Sequence, residues 1–167
     1  FNASSPGKTV ITVERVQHPA LWRLYTAYRD FTVAPGNDGN ANERLLWHGT
    51  DATTMQKIST GLNQCFNRTY TTTHAYGKGV YFARDARYSA SSSYSKPDPG
   101  TTTGSGTPVQ RMYLARVAVG TSARGAHSMS AAPERDQALH TRYDSTVDAL
   151  ANPSIFVVYH DAAAYPE

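Results

Sequence analysis

Hydrophobic positions along the chain follow two periods, and the changes between them mark the elements. In "TVITVERV" (9–16) valines and an isoleucine recur among polar residues, which predicts a strand. "HPALWRLYTAYRDF" (18–31) then places Leu21, Leu24, Tyr25, Tyr28 and Phe31 at helical spacing, with Pro19 suited to a first turn. Residues 34–42 read as a loop and "RLLWH" (44–48) as a short buried strand. "DATTMQKISTG" (51–61) predicts a helix entered at Asp51 and closed by Gly61. Residues 62–76 show no period and are expected to form a long loop. "GVYFA" (79–83) predicts a strand and "DARYSASSSY" (85–94) a short helix. "KPDPGTTTGSGTP" (96–108) reads as the most flexible segment. "VQRMYLARVAV" (109–119) is the longest strand, 120–142 a further loop, and "SIFVVYH" (154–160) the last clear strand. Strands dominate over about three helices placed early, so the predicted class is α+β.

One junction in this pattern is odd. Leu45, Leu46 and Trp47 run straight into His48, Gly49 and Thr50, where a buried run ordinarily closes on a turn former. An imidazole at the end of a core strand is either a satisfied core histidine or a binding group, and the junction alone favours the former.

Composition narrows the classes. At 167 residues the chain is long enough for one domain with a real core and too short to expect two. Eleven tyrosines against two tryptophans suit strands, and also binding clefts that need a ring face and a hydroxyl together. The formal charge of +3 is spread over scattered lysines and arginines, which gives no nucleic-acid footprint but suits a small anionic ligand such as a dinucleotide. A single cysteine, Cys65, excludes an internal disulfide and fits a reducing compartment, so a cytoplasmic or nuclear location is expected. No apolar run approaches the roughly 20 residues of a membrane span. The sequons at Asn2 and Asn67 are short enough to arise by chance. The abrupt "AYPE" reads as the edge of a domain cut from something longer, with a last strand expected beyond it.

Common catalytic patterns are missing. Six histidines and one cysteine show no metal-ligand spacing, so no metal is expected. There is no nucleophile elbow and no Walker loop, and nothing in the sequence brings Cys65 to His74. Gly77 and Gly79 precede a strand rather than follow one, which excludes the dinucleotide fingerprint.

Three segments remain: "LLWHGT" at 45–50, "YGKGVYFA" with the following "YSASSSY", and "PSIFVVYHDAAAYPE" at the end. In this order and spacing they resemble the catalytic domain of the poly(ADP-ribose) polymerase family, diphtheria-toxin-like ADP-ribosyltransferases. The likeness runs from "VERVQHP" onward and is nearest to the macrodomain-containing members that transfer one ADP-ribose. It implies a split pair of mostly antiparallel sheets with NAD, the donor substrate, in the cleft between them. It also implies acceptor proteins as partners, nucleic acid only through other domains of the parent chain, and a monomeric domain spanning 1–167. By the same resemblance His48 contacts the adenosine-side ribose, with Thr50 a further hydroxyl. The Gly49 backbone meets the nicotinamide carboxamide where a Cβ would obstruct. Tyr81 and Tyr94 stack on opposite faces of the nicotinamide, and the Ser89 hydroxyl reaches the carboxamide oxygen. The 62–76 loop covers the donor, and Arg68 within it either contacts the diphosphate or ribose or is simply solvated.

The third signature position, a glutamate in chain-elongating members, falls on Ile155. Loss of nicotinamide passes through an oxocarbenium-like state that a carboxylate stabilises while polarising the hydroxyl of a growing polymer. Isoleucine does neither. The expectation is therefore transfer of single ADP-ribose units to a protein side chain, with a non-catalytic NAD or ADP-ribose binding module as the alternative. His160 is expected on the face opposite Ile155, and Asp148 is the first carboxylate to test nearby.

Overall fold

The computed structural model describes residues 1, 3–60, 65–72 and 74–167. Gly61 and part of the 62–76 loop, like the Asn2 sequon, therefore lie outside the described residues.

Helix α1 (Pro19–Tyr28) starts as its sequence predicts, with Pro19 in the first turn and His18 capping it by accepting from the Leu21 amide at 3.3 Å. It does not continue regularly to Phe31. Arg29–Val33 forms a π-helical turn, which inserts one residue and rotates the face. Val33 consequently reaches the core beside Leu21 and Tyr25, whereas Phe31 is 83% exposed and Leu24 56%. The predicted strand over 9–16 is also corrected. No ladder pairs this segment, and Val10, Ile11 and Val13 are exposed. Its C-terminal end is held through the Tyr165 hydroxyl, which donates to the Val16 carbonyl and accepts from the His18 amide. Alternation makes a segment able to pair but does not supply the partner.

Strand β1 (Glu43–Gly49) is followed by α2 (Ala52–Thr60), capped by the Asp51 carboxylate through the Thr54 amide at 2.9 Å. Then come β2 (Val80–Ala83), the single-turn helix α3 (Ala86–Ser89) and a hairpin of β3 (Asp98–Thr102) and β4 (Pro108–Val109). That hairpin lies in the segment expected to be most flexible, and Arg111 ties it by donating to Asp98 at 2.5 Å. Strand β5 (Met112–Ala118) precedes β6 (Ser122–Arg124), β7 (Glu134–Asp136), β8 (Thr141–Arg142) and β9 (Ser145–Val147). The expected 120–142 loop thus holds three short strands. Last come β10 (Ile155–Val158) and β11 (Ala164–Pro166).

Seven strands are ordered β11-β5-β1-β2-β10-β9-β6, antiparallel throughout except β6 against β9. The split expected of the two sheets is visible at the β1–β2 seam. There a single residue pair, Trp47 with Ala83, joins them, against seven pairs between β1 and β5. Residues from both sides of this seam line a cleft. The main core packs Leu46, Phe66, Phe82, Val117 and Phe156. Of the apolar run in β1 only Leu46 is fully buried, because side chains alternate faces along a strand; Leu45 is exposed and Trp47 is covered in part by Phe1 at 5.7 Å.

Candidate functional site

The cleft at the seam is lined by His48, Gly49 and Thr50 from the end of β1, Tyr81 from β2, and Ser89 and Tyr94 from α3 and the turn after it. Ile155 at the start of β10 completes it. Seven of the eight residues expected at the site thus converge. The eighth, Arg68, does not line the cleft: its guanidinium donates to the Ser130 carbonyl at 3.4 Å. Its neighbours Phe66, Asn67, Tyr70, Thr71 and Thr72 do form part of the wall, so the described part of the predicted donor loop lies over the cleft.

His48 faces the seam, its ring packed edge-on to Phe66 at 5.2 Å and tilted on Phe82 at 5.4 Å. Its Nδ1 lies 2.8 Å from the Tyr81 carbonyl. A carbonyl only accepts, so Nδ1 carries the proton and Nε2 is left with a lone pair. Burial lowers the pKa below the ordinary 6.5, and the contact with the Tyr81 carbonyl only partly opposes it. The ring is thus held neutral as a hydrogen-bond acceptor, which suits a hydroxyl such as that of a ribose.

Gly49 has a packing reason to be glycine besides the one its motif implies. A Cβ there would sit 2.3 Å from the Ser89 carbonyl oxygen and 3.1 Å from the Ser95 amide and Tyr94 Cβ. The missing side chain lets the α3 turn dock against β1, and so brings Ser89 and Tyr94 to the cleft. Ser89 is buried and its one hydroxyl proton goes to the Trp47 carbonyl at 3.0 Å. In this geometry it does not donate to a carboxamide oxygen, the role the resemblance implies, but offers its lone pairs to a ligand N–H.

Tyr81 lies against Ile155 and Val157, and its hydroxyl donates to the Gly77 carbonyl at 2.7 Å and accepts from the Tyr76 amide at 2.9 Å. Burial raises its pKa, so it stays a phenol. Gly77 adopts φ +126°, and a Cβ would meet the Tyr159 hydroxyl at 1.9 Å, so the turn that anchors Tyr81 needs glycine.

Ile155 is 4% exposed and pairs with Ala83 across β2. As expected, Ile155, Val157 and Tyr159 cluster on one face of β10, while His160 stacks on Tyr28 at 4.2 Å, away from the cleft. Asp148 fixes the start of β10: one carboxylate oxygen accepts from the Ser154 and Ile155 amides, both at 2.9 Å, and the other from the Ser154 hydroxyl. Burial raises its pKa, but those donors outweigh it and the net shift is downward. Among the described lining residues Asp51 is the one carboxylate, and it is engaged in capping α2.

Tyr88, Lys96, Thr54 and Tyr70 also line the cleft and were not picked out by sequence. The signal for Tyr88 was present in "YSASSSY", where it opens the segment that Tyr94 closes. Cys65 is buried with its thiol pushed up to about 11, mainly by desolvation, and directed at the Ala164 carbonyl, which makes it a packing residue. Among the described residues no three histidine, cysteine or acidic side chains converge as metal ligands, and no helix is long and apolar enough to cross a membrane.

Comparison with known proteins agrees with this geometry. The family described as "Poly(ADP-ribose) polymerase catalytic domain" matches residues 2–167. The chain is 36% identical over 170 residues to human protein mono-ADP-ribosyltransferase PARP14, covering 100% of this chain and 9% of that protein. It is 39% identical over 170 residues to human protein mono-ADP-ribosyltransferase PARP12, covering 100% of this chain and 22% of the relative. Mouse protein mono-ADP-ribosyltransferase PARP10 is 33% identical over 159 residues, 94% of this chain and 15% of the relative. The chain therefore spans less than a quarter of these relatives' lengths. It belongs to the poly(ADP-ribose) polymerase catalytic domain family.

Proposed function

We propose that this member of the family transfers single ADP-ribose units from NAD to a protein side chain and releases nicotinamide. The observation that carries the reading is Ile155, buried in an apolar cluster where a chain-elongating site needs a carboxylate. The remaining donor-site groups support binding: a neutral imidazole with a free lone pair, a backbone N–H and C=O at Gly49, and aromatic walls at Tyr81 and Tyr94. A primary carboxamide presents one donor edge and one acceptor edge, complementary to a single peptide unit.

In this reading the bond from the ribose anomeric carbon to the nicotinamide nitrogen breaks, and nicotinamide leaves neutral with the bonding pair. The acceptor's nucleophilic atom forms the new bond to that carbon. No general acid is needed, because the leaving group starts as a cation. The chain contributes orientation and exclusion of water rather than a charge at position 155. Initiation on a protein side chain is retained, whereas activation of a ribose hydroxyl for elongation has no carboxylate to perform it.

Incubating the chain with labelled NAD and a mixture of proteins tests this. Discrete labelled bands, each shifted by one unit and accompanied by released nicotinamide, are expected. A ladder of long polymer contradicts the single-unit reading, and NAD binding without nicotinamide release supports a binding module instead.

A further inference from the structure

The hydroxyl-bearing side chains that line the cleft include Tyr81, Ser89, Tyr94 and Tyr88, the ones assigned here to its nicotinamide end. Each has one proton to donate. Those of Tyr81 and Ser89 go to the Gly77 and Trp47 carbonyls. The Tyr88 and Tyr94 hydroxyls meet each other at 2.8 Å. One proton fills that contact and the second stays free, whichever ring donates.

The same two rings are stacked, centroids 4.9 Å apart and planes inclined by 20°. Tyr88 therefore covers one face of Tyr94 and leaves the other for a planar ligand. Tyr94 itself sits on a turn, with its amide and that of Ser95 both bonded to the Ser91 carbonyl at 2.9 Å. A turn fixes the backbone but not the ring, and Tyr88 supplies both the stacking surface and the hydroxyl contact that set the ring's plane.

We propose that Tyr88 is a positioning residue of the donor site: it backs the Tyr94 ring and, through the shared hydroxyl contact, fixes the plane of that ring and the direction of its hydroxyl against the bound donor. The proposal rests on the reading of the cleft as an NAD site. Tyr88 is 40% exposed, so replacing it removes a wall of the cleft rather than a piece of core.

The test is calorimetric titration of benzamide into the unaltered chain, Tyr88→Phe, Tyr88→Leu and Tyr88→Ala, with steady-state NAD consumption alongside. Tyr88→Phe keeps the stack and loses the hydroxyl contact, so benzamide binding weakens about fivefold, as for one lost hydrogen bond. Tyr88→Leu and Tyr88→Ala lose both and weaken it on the order of tenfold or more. In each variant KM for NAD rises more than kcat falls, and the melting temperature stays near that of the parent. Leucine retains bulk, so it decides the matter should the alanine variant fold poorly. Binding as tight as the parent's in Tyr88→Leu overturns the proposal, and tighter binding overturns it by making Tyr88 an obstruction. If the unaltered chain binds no benzamide, the nicotinamide reading itself fails and takes this inference with it.

Discussion

The proton on His48 Nδ1 is committed to the Tyr81 carbonyl, and burial keeps the ring from taking a second one near neutrality. Two pH effects follow from the lowered pKa. Donor binding needs the Nε2 lone pair for a ribose hydroxyl, so NAD affinity stays level as pH falls through 6.5 and drops only in more acidic solution. Benzamide, which has no ribose, does not follow it; titration calorimetry across that range checks both. Stability, by contrast, already changes in the window where affinity stays level. Below 6.5 the unfolded chain takes up a proton at this residue that the folded chain refuses, so folding weakens as pH falls toward the folded-state pKa. Gly49 poses a separate test. The Cβ of Gly49→Ala would strike the Ser89 carbonyl, so the α3 turn must shift. Overpacking of this kind costs about 1–3 kcal/mol. Urea denaturation should register that loss, and benzamide binding should weaken because Ser89 and Tyr94 move with the turn.

The strands that were plain from sequence, β1, β2, β5 and β10, are those whose alternation or apolar run meets a partner on each side. The 9–16 segment has a similar pattern, yet its valines stay in solvent, since pattern reports capacity to pair and topology decides whether pairing occurs. The π-turn after α1 was illegible for another reason: one inserted residue leaves no mark on composition and shows only in which apolar side chain, Val33 rather than Phe31, is buried. Order in the β3–β4 hairpin depends on Asp98 meeting Arg111, thirteen positions away, which no local window sees. At the start of β10 the Asp148 carboxylate gathers two amides and a hydroxyl, and so fixes where Ile155 stands. Asp148→Ala should cost roughly 2 kcal/mol in urea denaturation, the scale of hydrogen bonds to a charged acceptor. Its lowered pKa sets the pH window: the contribution is present above the ordinary 3.8 and fades as pH falls through the folded value.

Across the whole molecule, the cleft lies at the seam where β1 and β2 share one ladder pair, Trp47 with Ala83. Motifs far apart in sequence end at this seam, which is why His48, Tyr81, Ser89, Tyr94 and Ile155 line one cleft. Arg68 and Tyr88 were beyond its reach. Each takes its meaning from a tertiary neighbour, the Ser130 carbonyl in one case and the Tyr94 ring in the other. The central claim is that the seam holds the nicotinamide end of NAD, and a crystal structure with benzamide bound tests it most directly. The account predicts the carboxamide paired to the backbone N–H and C=O of Gly49, with the ring between Tyr81 and the uncovered face of Tyr94. Benzamide bound elsewhere, or in the cleft with its ring against neither tyrosine, contradicts it.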